Sequence, residues 1–157
     1  MISAIIYRKD KTPKRRRIMN ITVIDGQGGQ LGAQLVKEIL SRFSDVNLTA
    51  IGTNAIATSA MLKAGAKNAA TGENSVLVAC RKADAIIGPI GIVIADSLLG
   101  EITEKMAASV ARADAVRILI PMNKCDNIIA GVRDVSTRVL IDDALLRLSE
   151  ILDSKST

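Results

Sequence analysis

The sequence predicts an α/β fold, a single Rossmann-like, doubly wound and mostly parallel sheet with helices on both faces. Three observations predict it. Short apolar runs alternate with stretches of helical periodicity, the rhythm of βαβ units. Hydrophobic residues make up 48% of the chain, with one Phe, one Tyr and no Trp, so the core is Ile, Leu, Val and Ala, as in buried parallel strands. The first apolar run ends in a glycine-rich turn that opens straight into a helix, "IDGQGGQLG", the layout of a phosphate-binding βα unit.

Each element follows in order. Ile21–Ile24 reads as a buried strand and Gly26–Gly32 as the turn. Leu31, Leu35, Val36, Ile39, Leu40 and Phe43 then recur on one helical face. Ser44–Asn47 is a polar break before strand two, Leu48–Ile51, which Gly52 closes. A helix follows, with Thr53 or Asn54 as N-cap and Gly65 as its stop. Lys67–Ala70 is a short third strand, Thr71–Gly72 a turn, Ser75–Arg81 a helix and "ADAIIG" strand four. The stretch "GPIGIVIADSLLGE", Gly88–Glu101, is apolar and fits a strand, a lid loop or a short helix. Ile102–Ala113 is helical, Val116–Ile120 is strand five stopped by Pro121, and Ile128–Val132 is expected to be strand six. Leu140, Ala144, Leu145, Leu148, Ile151 and Leu152 mark a closing amphipathic helix over Ser136–Leu152. Six strands in this rhythm suit the order 3-2-1-4-5-6, whose ligand crevice lies outside the carboxyl ends of the strands. That rule nominates Gly26–Gly32, Gly52–Asn54, Thr71–Asn74, Gly88–Gly91 and Asn123–Cys125.

Charge is concentrated at one end. The net charge is +5, but residues 1–18 hold seven basic residues and one acidic, leaving 14 basic and 15 acidic in the remaining 139. The body is near neutral and Phe43 is its only aromatic, which disfavours nucleic acid as a partner, since bases need stacking surfaces. Met19 directly precedes the first strand. Residues 1–18 are therefore expected to be a basic, disordered extension, or to lie upstream of the true start, and residues 19–157 to form the domain. A secretory signal places its charges before its apolar run, the reverse of this order. No apolar run reaches membrane-spanning length without Gly or charge. Cys80 and Cys125 make no disulfide or metal framework. The expectation is a cytoplasmic protein without membrane contact.

The turn satisfies Gly-x-x-Gly-x-x-Gly at Gly26, Gly29 and Gly32, and misses the strict dinucleotide spacing because Leu31 stands three after Gly28. One glycine allows a sharp turn, a second removes a Cβ so that phosphate approaches the backbone, and a third lets helix and strand pack closely. Gly29 is read as the close-approach glycine, so that Gly29→Val is expected to abolish nucleotide binding in a folded protein. Free N–H groups at the helix start favour an anion. The expected cofactor-binding set is Asp25, Gly26, Gln27, Gly28, Gly29, Gln30, Leu31, Gly32, Thr53, Asn54, Gly88 and Pro89. The ligand is a nucleotide or other phosphate-bearing small molecule, NAD(P) first among them. Two details depart from an ordinary NAD site. The carboxyl end of strand two, Gly52-Thr53-Asn54, has no acid for the ribose, since Asp45 precedes the strand, and Lys63 lies too deep in the helix for a 2′-phosphate. Asp25, just before the turn, would repel a pyrophosphate; it serves either a ligand role or as an acceptor holding the loop's N–H groups.

Catalytic residues are not identified. There is no histidine, the commonest acid–base residue. Tyr7-x-x-x-Lys11 has the spacing of a dehydrogenase pair but falls before strand one. Glu73, Asp96 and Glu101 are candidate acids near loops, and each fits a helix-start charge or cap equally well. Asp25 with Asp96 or Glu101 would suit Mg²⁺ against a phosphate. Cys125, beside Lys124, is a candidate thiolate without a base, and Cys80 belongs to the core.

The segments "IDGQGGQLG", "GTNAIATSAMLKAGA", "TGENS", "GPIGIVIADSLLGEIT" and "ILIPMN" together resemble a family of short bacterial proteins known only as a domain of unknown function. The resemblance covers about Met19 to Val132. It implies a Rossmann-like fold, a start near Met19 and no established activity. The glycine turn separately resembles that of atypical short-chain dehydrogenases, whose catalytic pair this chain lacks at the matching place. The leading reading is a nucleotide-binding sensor or assembly module. The alternatives are a small enzyme acting on a phosphorylated or nucleotide substrate through Asp25, Glu73, Glu101 or Cys125 under a Gly88–Glu101 lid, and a homodimeric structural protein paired through the closing helix.

Overall fold

A computed structural model describes residues 17–122 and 127–154. The first strand, β1 (Met19–Asp25), leads through the glycine turn into α1 (Gln30–Arg42). Then come β2 (Val46–Gly52), α2 (Ala55–Lys63), β3 (Asn68–Thr71), α3 (Glu73–Cys80) and β4 (Ala85–Pro89). A 3-10 turn over Ile90–Val93 and a single turn, α4 (Ser97–Gly100), lead to α5 (Glu104–Arg112), β5 (Val116–Ile120) and α6 (Thr137–Ser154). All strand pairs are parallel, in the order β3-β2-β1-β4-β5. This is the Rossmann-like, doubly wound α/β fold that the alternation of elements predicts.

Strand alternation divides the core in two. Ile21, Val23 and Ile87 face one way and pack with Leu35 and Ile39 of α1 and Leu145 and Leu148 of α6. Ile24, Ile51 and Ile86 face the other way, against Val76 of α3 and Met106 and Val110 of α5. Two buried faces explain why the strands read as continuous apolar runs.

Local chemistry sets the helix ends. Asn54 caps α2, its Oδ1 accepting from Ala57 N at 2.9 Å, and Gly65 takes the left-handed conformation just past the end of α2. The Thr103 hydroxyl caps α5 through Met106 N. The polar start of β2, read as a break, is strand because its amides pair across the sheet. Asn47 donates to Asn20 at 2.8 Å and accepts from Asn68 at 3.4 Å.

Two expectations are corrected. Ile128–Val132 is not a strand: the segment is irregular, Ile128 is fully exposed and Gly131 is left-handed, so its apolar residues add no sixth strand to the β5 edge among the described residues. The closing helix does not hold its apolar face open for a second copy. Leu145 and Leu148 are buried in this chain's own core, with Leu140 and Ile151 packed against them. Most of the expected extension, residues 1–16, lies outside the described residues, as does Cys125.

Ile87 sits in β4 with no exposed surface. Ile87→Ala should lower unfolding free energy by about 2–5 kcal/mol, the cost of lost burial plus a residual cavity. Urea denaturation followed by far-UV circular dichroism checks this.

Candidate functional site

β1 ends at the carboxyl edge of the sheet, and the turn is pinned there by Asp25. Its carboxylate is buried, with Oδ1 accepting from Gly26 N at 2.8 Å and Oδ2 from Gly32 N at 2.6 Å. Burial raises the Asp25 pKa above its ordinary value, the N–H groups of Gly32 and Gly26 pull it down, and the nearby charge of Glu101 adds to the rise. Of the two roles open to Asp25, its contacts are those of the residue that holds the turn closed.

Each glycine has a different task. Gly26 O accepts from Gly29 N at 2.9 Å, closing a tight bend with Gln27 in the left-handed region. Gly29 has φ of 69°, and a Cβ there would stand 2.5 Å from Ala57 Cα and 2.8 Å from Ala57 O. Gly29 is thus the contact between turn and α2, which corrects its expected role as the close-approach glycine. At Gly28, by contrast, an added Cβ would meet nothing within 4 Å. Gly32 lets α1 pass against Asp25 and Met61.

The start of α1 is uncapped. Gly29 provides no side chain and the first turn has no acid. Among the described residues, no hydrogen bond occupies the N–H groups of Gly28, Gln30 or Leu31. They border a cleft of about 880 Å³ that Asp25 to Leu31 and Pro89 line. It is also lined by residues of the Gly88–Glu101 stretch, among them Ile90, Ile94 and Leu98, and by Met122, Asn127 and Thr137. Sequence reading missed Asn127, which stands just before the run read as strand six, and Thr137, which lies at the start of the run read as the closing helix. Gln34, one turn into α1, also lines the cleft and was legible as the polar residue next to Leu35.

The remaining predicted residues lie off the cleft. Gly88 is a packing glycine, where a Cβ would stand 2.3 Å from Ile24 O. Thr53 and Asn54 sit on the β2 side of the turn, tied to Glu101. One oxygen of that carboxylate, Oε2, accepts from Gln27 N at 2.8 Å, from Asn54 Nδ2 at 3.0 Å and from the Thr53 hydroxyl. The segment carrying it is bent hard: Asp96, Leu98 and Leu99 all have positive φ, a conformation that costs non-glycine residues about 1 kcal/mol or more each. Leu98 reaches Gly26, while Leu99 is almost wholly exposed.

The other candidate acids are placed apart. Glu73 accepts from the Thr103 hydroxyl at 2.6 Å and lies 3.8 Å from Lys105, away from the turn. Asp96 lines the cleft. Among the described residues no three His, Cys, Asp or Glu side chains group to hold a metal, and both oxygens of Asp25 accept from backbone N–H groups. Cys80 is buried, and burial raises its thiol pKa. Thr71, nominated by the crevice rule, pairs with the Thr58 hydroxyl at 2.6 Å. No helix among the described residues is long and apolar enough to cross a membrane.

Residues 20–153 match the family described as "Domain of unknown function (DUF3842)". No curated protein matches the chain. Among solved structures the chain is similar to the dodecameric FMN-dependent Ubix-like decarboxylase from Escherichia coli O157:H7. The identity is 17% and the TM-score 0.40, over 84% of this chain and 75% of that one. At that distance neither ligand nor residue roles transfer.

Two tests follow from this geometry. Gly29→Val should fail to fold or melt far below the wild type, because its side chain meets backbone rather than solvent; a melting curve close to wild type would contradict the packing. Burial raises the Glu101 pKa, but the hydrogen bonds from Thr53, Gln27 and Asn54 outweigh it and hold the group below its ordinary 4.5. A carboxyl so lowered favours the folded chain above that ordinary value, and its contribution is lost as pH falls through the lowered one. The Tm gap between wild type and Glu101→Gln should therefore be widest above pH 4.5 and shrink in stronger acid.

Proposed function

The chain belongs to the DUF3842 family, and from that premise we propose that it binds a nucleotide, NAD(P) first among them, through phosphate at the start of α1. The observation that carries this reading is the trio of free N–H groups on Gly28, Gln30 and Leu31, set at an uncapped helix start beside a cleft of about 880 Å³. Backbone donors and the positive end of the helix dipole suit an anion, and the cleft volume lies within the range that encloses small ligands. Gly28 leaves the approach open, since nothing stands within 4 Å of its Cβ position.

Asp25 does not oppose this use. Although it lines the cleft, its two oxygens accept from Gly26 N and Gly32 N, which hold the carboxylate against the turn. The apolar wall of Ile90, Ile94 and Leu98 offers a surface for a base or ring. In this reading the protein positions a nucleotide, and a sensor or assembly role is the function proposed for it.

The experiment is a thermal-shift series with NAD, NADP, FMN and AMP on the full chain. A ligand at about a hundred times its Kd adds roughly 2.7 kcal/mol of stability, an easily read rise in Tm. Gly28→Val should keep the wild-type Tm without ligand and lose the nucleotide-induced rise, because its methyls stand where a phosphate oxygen must sit. No shift with any of the four nucleotides, or an undiminished shift in Gly28→Val, would overturn the reading.

A further inference from the structure

The acid missing from the end of β2 reaches the same place from elsewhere. In a dinucleotide site of this fold a carboxylate at the carboxyl end of the second strand takes the ribose hydroxyls, and an arginine nearby accommodates a 2′-phosphate. β2 ends at Gly52, followed by Thr53 and Asn54. Glu101, at the end of the strained α4 turn, lays its carboxylate between these two residues and the first bend of the glycine turn. Its Oε2 is 2.8 Å from where a Gly26 Cβ would stand.

We propose that Glu101 supplies the ribose-binding carboxylate, so that the turn accepts nucleotides with a free 2′,3′-diol and rejects those with a 2′-phosphate. This rests on the nucleotide reading above and names the class of nucleotide that the site takes.

The geometry gives each oxygen a part. Three donors fix Oε2, and Asn54 is itself locked, because its Oδ1 caps α2 while its Nδ2 also donates to Gln27 O at 3.0 Å. Among the described residues Oε1 makes no hydrogen bond, which leaves it to accept from a sugar O–H. A 2′-phosphate in that position would meet a carboxylate held by a hydroxyl, an amide and a backbone N–H, none of them a cation. Like charges brought together in this way discriminate strongly against the wrong ligand.

The test is isothermal titration of the full chain with NAD and NADP, and with AMP and adenosine 2′,5′-bisphosphate. The wild type should bind the ligand without 2′-phosphate at least about tenfold more tightly in each pair. Glu101→Gln keeps an acceptor for Gln27 N and removes the charge; it should bring each pair to within roughly threefold, NADP gaining and NAD losing. Glu104→Gln, the same change of charge at an exposed position on α5, should keep the wild-type ratio. The wild-type ratios need no variant, so they decide the matter even where Glu101→Gln does not fold. Equal affinity within the pairs, an unchanged ratio in Glu101→Gln, or binding of FMN without NAD or AMP would overturn this proposal and leave the nucleotide reading standing. Binding of none of these nucleotides would overturn both.

Discussion

A buried carboxylate that accepts from both ends of a seven-residue turn is the constraint on which the carboxyl edge of the sheet depends. Asp25 ties Gly26 N to Gly32 N, and this fixes where β1 stops, where α1 starts and which way the intervening N–H groups face. Desolvating a carboxylate is costly unless it is hydrogen-bonded, and the two backbone donors offset part of that cost at Asp25. Because they are backbone groups, the bend is specified by chain geometry rather than by side-chain reach. The glycines then follow: Gly32 must be small for α1 to pass over Asp25 and Met61, and Gly29 must be small for the bend to lie on Ala57.

The same constraint separates a structural side of the turn from an open one. Gly26, Gly29 and Gly32 all face protein, whereas Gly28 faces none. The spacing Gly26-x-x-Gly29-x-x-Gly32 is therefore a packing signature, and the glycine outside that regular spacing is the one with open space at its Cβ position. The short-range pattern in the sequence reports how the turn is built. The position left open is the one that breaks the pattern.

Much of the fold was legible because its signals are local or periodic. The five paired strands, the helices between them and the caps at Asn54 and Gly65 all rest on residues a few positions apart. The polar start of β2 escaped because amide pairing among Asn20, Asn47 and Asn68 is visible only across strands. Ile128–Val132 misled because its apolar residues resemble a strand and lack a partner. At the candidate site, the packing of Gly29 on Ala57 was not legible because spacing says nothing about which way a missing Cβ would point. Glu101 was weighed as a loop acid, since its bond to Gln27 joins residues 74 apart, and no pattern within one segment encodes that contact.

That separation has a consequence for how the chain is made. β1, β2 and β3 pair within the first part of the sequence, so the turn and its Asp25 clamp involve only residues that leave the ribosome early. Glu101 is translated 74 residues after Gln27. The Gln27 N–H therefore has no Glu101 carboxylate to bond until those residues have been made, whereas the two bonds that clamp the turn lie wholly within Asp25–Gly32.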